Sequence, residues 1–156
     1  MSVDDGATRV DIDVSIDGPL TAWLGVVSAD HVARGVGDGI AQIGHGKKGG
    51  LARMRPGDLL VYYSPRDMFG GSALRAFTAV GRVVDDEVWQ ADEGGFWPWR
   101  RRVDYDPDAT TVPLAAVQDD LDHCRDPHWG YRLRRGLVEL SDHDAAVLVD
   151  ALTAGR

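Results

Sequence analysis

The sequence predicts an α+β fold in which about five or six short strands form a small mixed or antiparallel barrel flanked by short helices. Three observations carry that expectation. The run Leu59 to Tyr63 is made of leucine, valine and tyrosine between Pro56-Gly57-Asp58 and Ser64-Pro65, which marks a short buried strand. A second run, Leu74 to Val84, alternates loosely through Phe77, Ala79, Gly81 and Val83 and follows the first across the turn-forming segment Arg66 to Ser72. The two form a hairpin, cheap to close because the connection is short. The remaining strand-like runs are short and lie near one another in sequence, which favours near-neighbour pairing over a doubly wound parallel sheet.

In order along the chain, residues 1–18 hold five Asp and one Arg, and Val10, Ile12, Val14 and Ile16 alternate with polar neighbours. They form an acidic tail or an edge strand ahead of a domain over 19–156. Leu20 to Ser28 is apolar and reads as the first strand of that domain. Ser28 then offers an N-cap for a short helix through Val32 and Arg34, which Gly35, Gly37 and Gly39 stop early. The segment from Ile40 to Met54 is rich in glycine and lysine, yet it matches neither phosphate-loop spacing. Ala41 stands where a Walker loop needs glycine, Lys48 where it needs a hydroxyl, and Ile40 breaks a dinucleotide fingerprint. It reads as an exposed loop ending in a helical turn, Leu51 to Met54. Pro65 ends the central strand, and Val88 to Gly95 is irregular. Phe96 to Tyr105 forms a strand whose beginning is an edge or loop because Pro98 sits among its aromatics. Pro113 to Leu121 is a short amphipathic helix with Leu114, Val117 and Leu121 on one face. Leu137 to Leu140 is a last strand, and Ser141 caps a terminal helix whose stripe is Ala145, Leu148, Val149 and Leu152.

Composition sets the class. At 156 residues with 44% hydrophobic and 27% charged, the chain has the size and mixture of one soluble globular domain. No apolar run approaches the roughly 20 residues of a membrane helix, and the acidic start lacks the pattern of a secretory signal. A cytoplasmic location without membrane attachment is the expectation. The single cysteine, Cys124, excludes an internal disulfide framework.

The net charge of -8, of which the first 18 residues supply -4, argues against bulk attraction to nucleic acid. Its distribution leaves room for a local positive face. Lys47, Lys48, Arg53 and Arg55 occur without an intervening acid, Arg100, Arg101 and Arg102 are consecutive, and Arg132, Arg134 and Arg135 follow Trp129. Solvation of unrelated surfaces explains such runs equally well.

No catalytic constellation stands out, and no cofactor is implied. His123-Cys124 with His128 lacks the paired spacing of a zinc site, and Cys124 reads as a half-buried thiol rather than a nucleophile. Most of the tryptophans and tyrosines belong to the core. Trp129-Gly130 differs because it lies on a loop before a basic run. An indole beside arginines suits stacking on a base while cations hold phosphate.

Taken in order, Trp23 to Ser28 with Asp30-His31-Val32, Gly44-His45-Gly46-Lys47, Met54 with Gly57-Asp58, Tyr62-Tyr63-Ser64-Pro65, Ala76 to Gly81, Arg100 to Val103 and Trp129-Gly130 resemble the EVE domain family of the PUA-like superfamily. The resemblance covers about residues 20–153, with its small bacterial members nearest. It implies a PUA-type β-barrel with a pocket that accepts one nucleobase, often a modified one, flipped from its strand, and no catalytic activity. By the same resemblance, the pocket draws on Trp23, Ser28, His45, Gly46, Lys47, Tyr62, Ser64, Trp129 and Gly130. Phosphate falls to Lys47, Lys48, Arg100, Arg101, Arg102 and Arg132. The implied partner is DNA or RNA carrying a modified base. Two rivals stay open: an ASCH-like enzyme built on Lys47 with Asp30 or Asp58, and a protein-interaction module using the acidic tail or Phe96-Trp97-Pro98-Trp99.

Overall fold

The computed structural model describes residues 20–154, so the expectation for residues 1–18 lies outside the described residues. Seven strands make one mixed sheet: β1 (Ala22–Val26), β2 (Ile40–Ala41), β3 (Leu59–Arg66), β4 (Ala73–Gln90), β5 (Trp99–Tyr105), β6 (Val112–Pro113) and β7 (Leu137–Leu140). Their order is β2-β5-β4-β3-β1-β7, with β6 paired to β4 off this path. The β3–β4 hairpin is at its centre, as the turn residues predict. β1 lies parallel to β3, from Ala22 opposite Leu59 to Val26 opposite Tyr63, and antiparallel to β7.

The sheet is open, which corrects the expected PUA-type barrel. In β1 and β3 successive side chains point to opposite faces and both sets are buried. Ala22, Leu24, Leu59, Val61 and Tyr63 enter one core cluster, and Trp23, Leu60 and Tyr62 enter a second. The strand path ends at β2 and β7 with no pairing between them, and each face has its own cover.

Helices supply it. The first face is covered by α5 (Asp142–Thr153), through Ala145, Leu148, Val149 and Leu152, and by the single turn α3 (Leu114–Val117). The expected Ser141 cap is present, its hydroxyl accepting the Asp144 N–H at 3.1 Å. The second face is covered by Val32 of α1 (Ala29–Asp38), Leu51 of α2 (Lys48–Arg53) and the neighbouring Ile43 and Met54. A short α4 (Trp129–Arg132) precedes β7.

Several boundaries differ from the sequence expectation. α1 runs through Gly35 and Gly37 and ends at Gly39, whose φ of 70° lets its N–H close on Gly35 and Val36 carbonyls. A side chain at Gly35 would meet the Ile40 carbonyl at 2.9 Å, so that glycine serves a close reversal and not a helix stop. Ile40–Ala41 is a strand where a loop is expected, and the helical turn expected over Leu51 to Met54 starts earlier, at Lys48, and ends at Arg53. β3 continues past Pro65, which is exposed beside a register shift where no ladder N–H is required. β4 extends to Gln90, and its pairing with β5 is interrupted between Val83 and Val88 by a bulge that carries Asp85, Asp86 and Glu87. Among the described residues no helix is long and apolar enough to cross a membrane.

Candidate functional site

At the β7 edge of the sheet, a cleft of about 600 Å³ opens between α2, β7 and the segment around α4. Its charge comes from Arg53, Arg132 and Arg135, set against Glu139, and its floor includes Leu137 and Val138. Gly49 and Gly50 of α2 leave backbone facing the space, and Gly50 packs so closely on β7 that a side chain there would lie 3.2 Å from Leu137 Cδ2.

The arginines are positioned by buried polar groups. Arg101 is 1% exposed, and its Nη1 donates to the carbonyls of Leu51 and Met54 at 2.8 and 2.6 Å while Nη2 donates to the Asp85 carbonyl at 2.7 Å. One guanidinium thus ties the end of α2 to the β4 bulge. Asp58, fully buried, accepts from Trp23 Nε1 at 2.9 Å, Arg55 N at 2.8 Å and Thr21 N at 3.0 Å, fixing the chain that leaves α2. Arg53 then lies over the Trp23 ring at 5.0 Å, a cation–π contact that aligns it along the cleft wall. Across the space Arg132 pairs with Asp126 at 3.1 Å.

His123 also lines the cleft, its ring meeting Trp129 edge-on at 6.2 Å. The buried Asp144 carboxylate holds its backbone, accepting from Asp122 N and His123 N at 2.7 and 2.9 Å. Burial pushes the His123 pKa below its usual value, and the attraction of Asp144 only partly opposes that. Asp122, His143 and Asp144 bring possible metal-ligand atoms within 4.8 Å of one another. Both Asp144 oxygens already accept backbone N–H groups, and His143 Nε2 lies 2.8 Å from the Asp120 carbonyl. That cluster ties the 120s segment to the start of α5.

The residues expected from the sequence fall in different places. Arg132 lines the cleft, Lys48 immediately precedes its glycines, and Trp129 lies behind His123. Lys47 and Lys48 are exposed, with Lys48 Nζ 4.7 Å from the Trp99 ring centroid. His45 is exposed on a turn at φ 59°, and Gly46, at φ 81°, packs against Pro98 and Phe96. Trp23 is interior and reaches the cleft only through Arg53. Tyr62 stacks on Tyr105 with centroids 6.2 Å apart, and burial pushes its pKa up to about 12. Ser64 is buried with its hydroxyl 2.8 Å from that of Thr78. Ser28 donates to Asp30 at 2.8 Å, which holds that carboxyl below its ordinary range. Gly130 is exposed next to Trp129.

Arg101 does not face a phosphate: its guanidinium points inward, as the alternation of a strand requires of the middle member of a triplet. Arg100 is held by Gln42 at 3.0 Å and by Glu93, and Arg102 by Asp85 and Glu87 at 3.3 and 2.8 Å. The cleft residues that the site expectation lacked are Arg53, Arg135, His123 and the Gly49-Gly50 pair. The available signal was the i,i+3 spacing of Arg132 and Arg135, which keeps both on one side of a helical turn.

Fold and cleft together define a small α+β domain whose open mixed sheet carries a cationic recess suited to an anionic ligand. The EVE domain matches residues 21–151. A UPF0310 protein of Renibacterium salmoninarum is 52% identical over 133 residues, covering 85% of this chain and 95% of its own, and UPF0310 protein YdcG of Bacillus subtilis is 38% identical over 133 residues, covering 83% and 90%. The chain belongs to the EVE domain family, which is related to the PUA-like nucleic-acid-binding domains. The NMR structure of Rpa0253 from Rhodopseudomonas palustris shares the fold with a TM-score of 0.57 at 17% identity, covering 88% of this chain and 96% of that one.

Proposed function

We propose that the protein binds nucleic acid without catalysis, holding backbone phosphate in the cleft of Arg53, Arg132 and Arg135 while a base, modified in the preferred ligand, stacks beside His123 and Trp129. The observation that carries this reading is the convergence of three arginines on one recess in a chain of net charge -8. An acidic protein that concentrates guanidinium groups, with exposed glycine backbone between them, is built for a local anion and not for long-range attraction. Lys47 and Lys48 extend the positive rim. His45 and Gly130 supply exposed polar and backbone groups near the base, while Ser28 and Gly46, already bonded to Asp30 and to Ile43 and Trp99, join Trp23, Tyr62 and Ser64 in supporting the wall. Whether the strand is DNA or RNA is decided by contacts to the sugar.

The test is equilibrium binding of modified and unmodified DNA and RNA oligonucleotides across a salt series. Arg132→Ala is expected to weaken binding of every sequence and lower the salt slope by about one contact while preserving the preference between bases. Trp129→Ala is expected to cost roughly 1–3 kcal/mol, the loss of one stacked base. Unchanged affinity and slope in both variants would remove the cleft from any nucleic-acid role.

A further inference from the structure

Resting on that reading, we propose that the tip of the β4–β5 hairpin, Phe96 and Trp97 with the neighbouring Lys47 and Lys48, is a second stacking platform, taken by the bases of an unpaired strand that continues out of the arginine cleft. Phe96 and Trp97 are 46% and 55% exposed, consecutive in sequence, with the Phe96 ring resting partly on Gly46. The tip is ordered. Gly94 and Gly95, at φ 65° and 99°, make the turn, Glu93 N donates to the Phe96 carbonyl at 2.7 Å, and Gln90 Nε2 donates to the Trp97 carbonyl at 3.0 Å. Two aromatic rings are therefore presented to solvent from a fixed backbone, at little further entropic cost to a ligand.

The tip is also docked on the lysine loop. Trp99 N donates to the Gly46 carbonyl at 2.9 Å, and a side chain at Gly46 would lie 2.8 Å from Pro98 Cβ and 3.0 Å from Phe96 Cζ. Glycine at this position brings Lys47 and the aromatics together. Among the described residues no carboxylate pairs with Lys47 or Lys48, whereas Glu93 is held by Arg100, which leaves Asp92 as the acid without a partner at the tip. Aromatic faces beside two ammonium groups without carboxylate partners, that of Lys48 over the Trp99 ring, fit stacked bases with flanking phosphates better than an apolar protein surface. α2 supplies the path, since it starts at Lys48, turns Gly49 and Gly50 to the cleft and carries Arg53 into it. Its six residues span about 9 Å, a reach that adjoining nucleotides of one strand can cover.

The experiment compares oligothymidylates of about 3 and about 12 nucleotides, one below and one within the roughly 4–16 nucleotides of a single-strand site, by fluorescence anisotropy with wild type, Trp97→Ala and Trp97→Phe. The long oligomer is expected to bind wild type more tightly than the short one, and Trp97→Ala to weaken the long oligomer about 5- to 150-fold, the equivalent of one stacked base, with the short one unchanged. Trp97→Phe is expected to recover most of the loss. An unaltered melting temperature is expected for both variants. If wild type binds the long oligomer and Trp97→Ala matches it, the platform is refuted and the tip is left to a protein partner, while the cleft reading stands. If wild type binds neither length at any salt, both readings fall.

Discussion

The two faces of the sheet differ in what they bury. The α5 face is mostly aliphatic, with Leu24, Leu59, Val61, Val80, Val138 and Leu140 against Leu148, Val149 and Leu152 and one ring pair, Tyr63 and Phe77. Its buried carboxylate, Asp144, sits at the helix start with its oxygens satisfied by backbone. The α1–α2 face buries Trp23, Tyr62 and Tyr105 together with Arg101 and Asp58, and these polar groups bind loops and a six-residue helix that could not hold themselves in place. One face achieves stability by area removed from water; the other fixes short irregular segments with directed hydrogen bonds. The cleft lies at the β7 edge of the sheet, where α2 of the second face meets the 120s segment that Asp144 holds on the first.

That contrast can be broken most severely at Arg101. Arg101→Leu leaves three carbonyls of α2 and the bulge without their donor, and the expected loss is about 3–5 kcal/mol, read by urea denaturation, with binding lost even under conditions where the sheet stays folded. Leu148→Ala, on the other face, is expected to cost about 2–5 kcal/mol through its cavity and to leave the oligonucleotide affinity of the folded fraction unchanged. Equal effects of the two substitutions on affinity would erase the division of labour.

The smallest effect concerns acid. The His123 pKa is depressed by burial, so the unfolded chain takes up its proton first as pH falls below about 6.5. Stability contributed by neutral His123 is complete above that pH and declines as pH drops towards the folded pKa. The melting temperature is therefore expected to fall between about pH 7.5 and about pH 5.5, and His123→Gln to make the fall shallower. His31, depressed for the same reason, keeps part of the slope in that variant. A slope identical to wild type would show that His123 is as solvated folded as unfolded.

How much of this was legible depended on distance along the chain. The β3 strand, its hairpin with β4 and the Ser141-capped α5 follow from local pattern, since each signal is complete within a few residues. The parallel pairing of β1 with β3 is not local, and nothing in Leu20 to Ser28 names its neighbour. The continuous apolar run Leu59 to Tyr63 carries the information that both faces are covered, but not whether the sheet closes, which depends on how β2 and β7, far apart in sequence, are placed. In the site, Arg132 was legible from its basic run beside Trp129. Composition groups Arg101 with its neighbours as one basic triplet, whereas period-two alternation sends the middle member inward. Arg53 was visible as a charge but not as a wall, because its orientation depends on Trp23 and Asp58, which meet it only in the folded chain.

β1 has a consequence for biosynthesis. It sits between β3 and β7, so residues 22–26 leave the ribosome early, gain one neighbour when 59–66 emerges, and wait for 137–140 to cover the other side. The β3–β4–β5 meander can form during that interval from contacts close in sequence, while β1 keeps an apolar strand edge open to other nascent chains. Slow translation between these two points would lengthen that exposure, and it places the aggregation risk of this protein in the nascent chain and not in the finished fold.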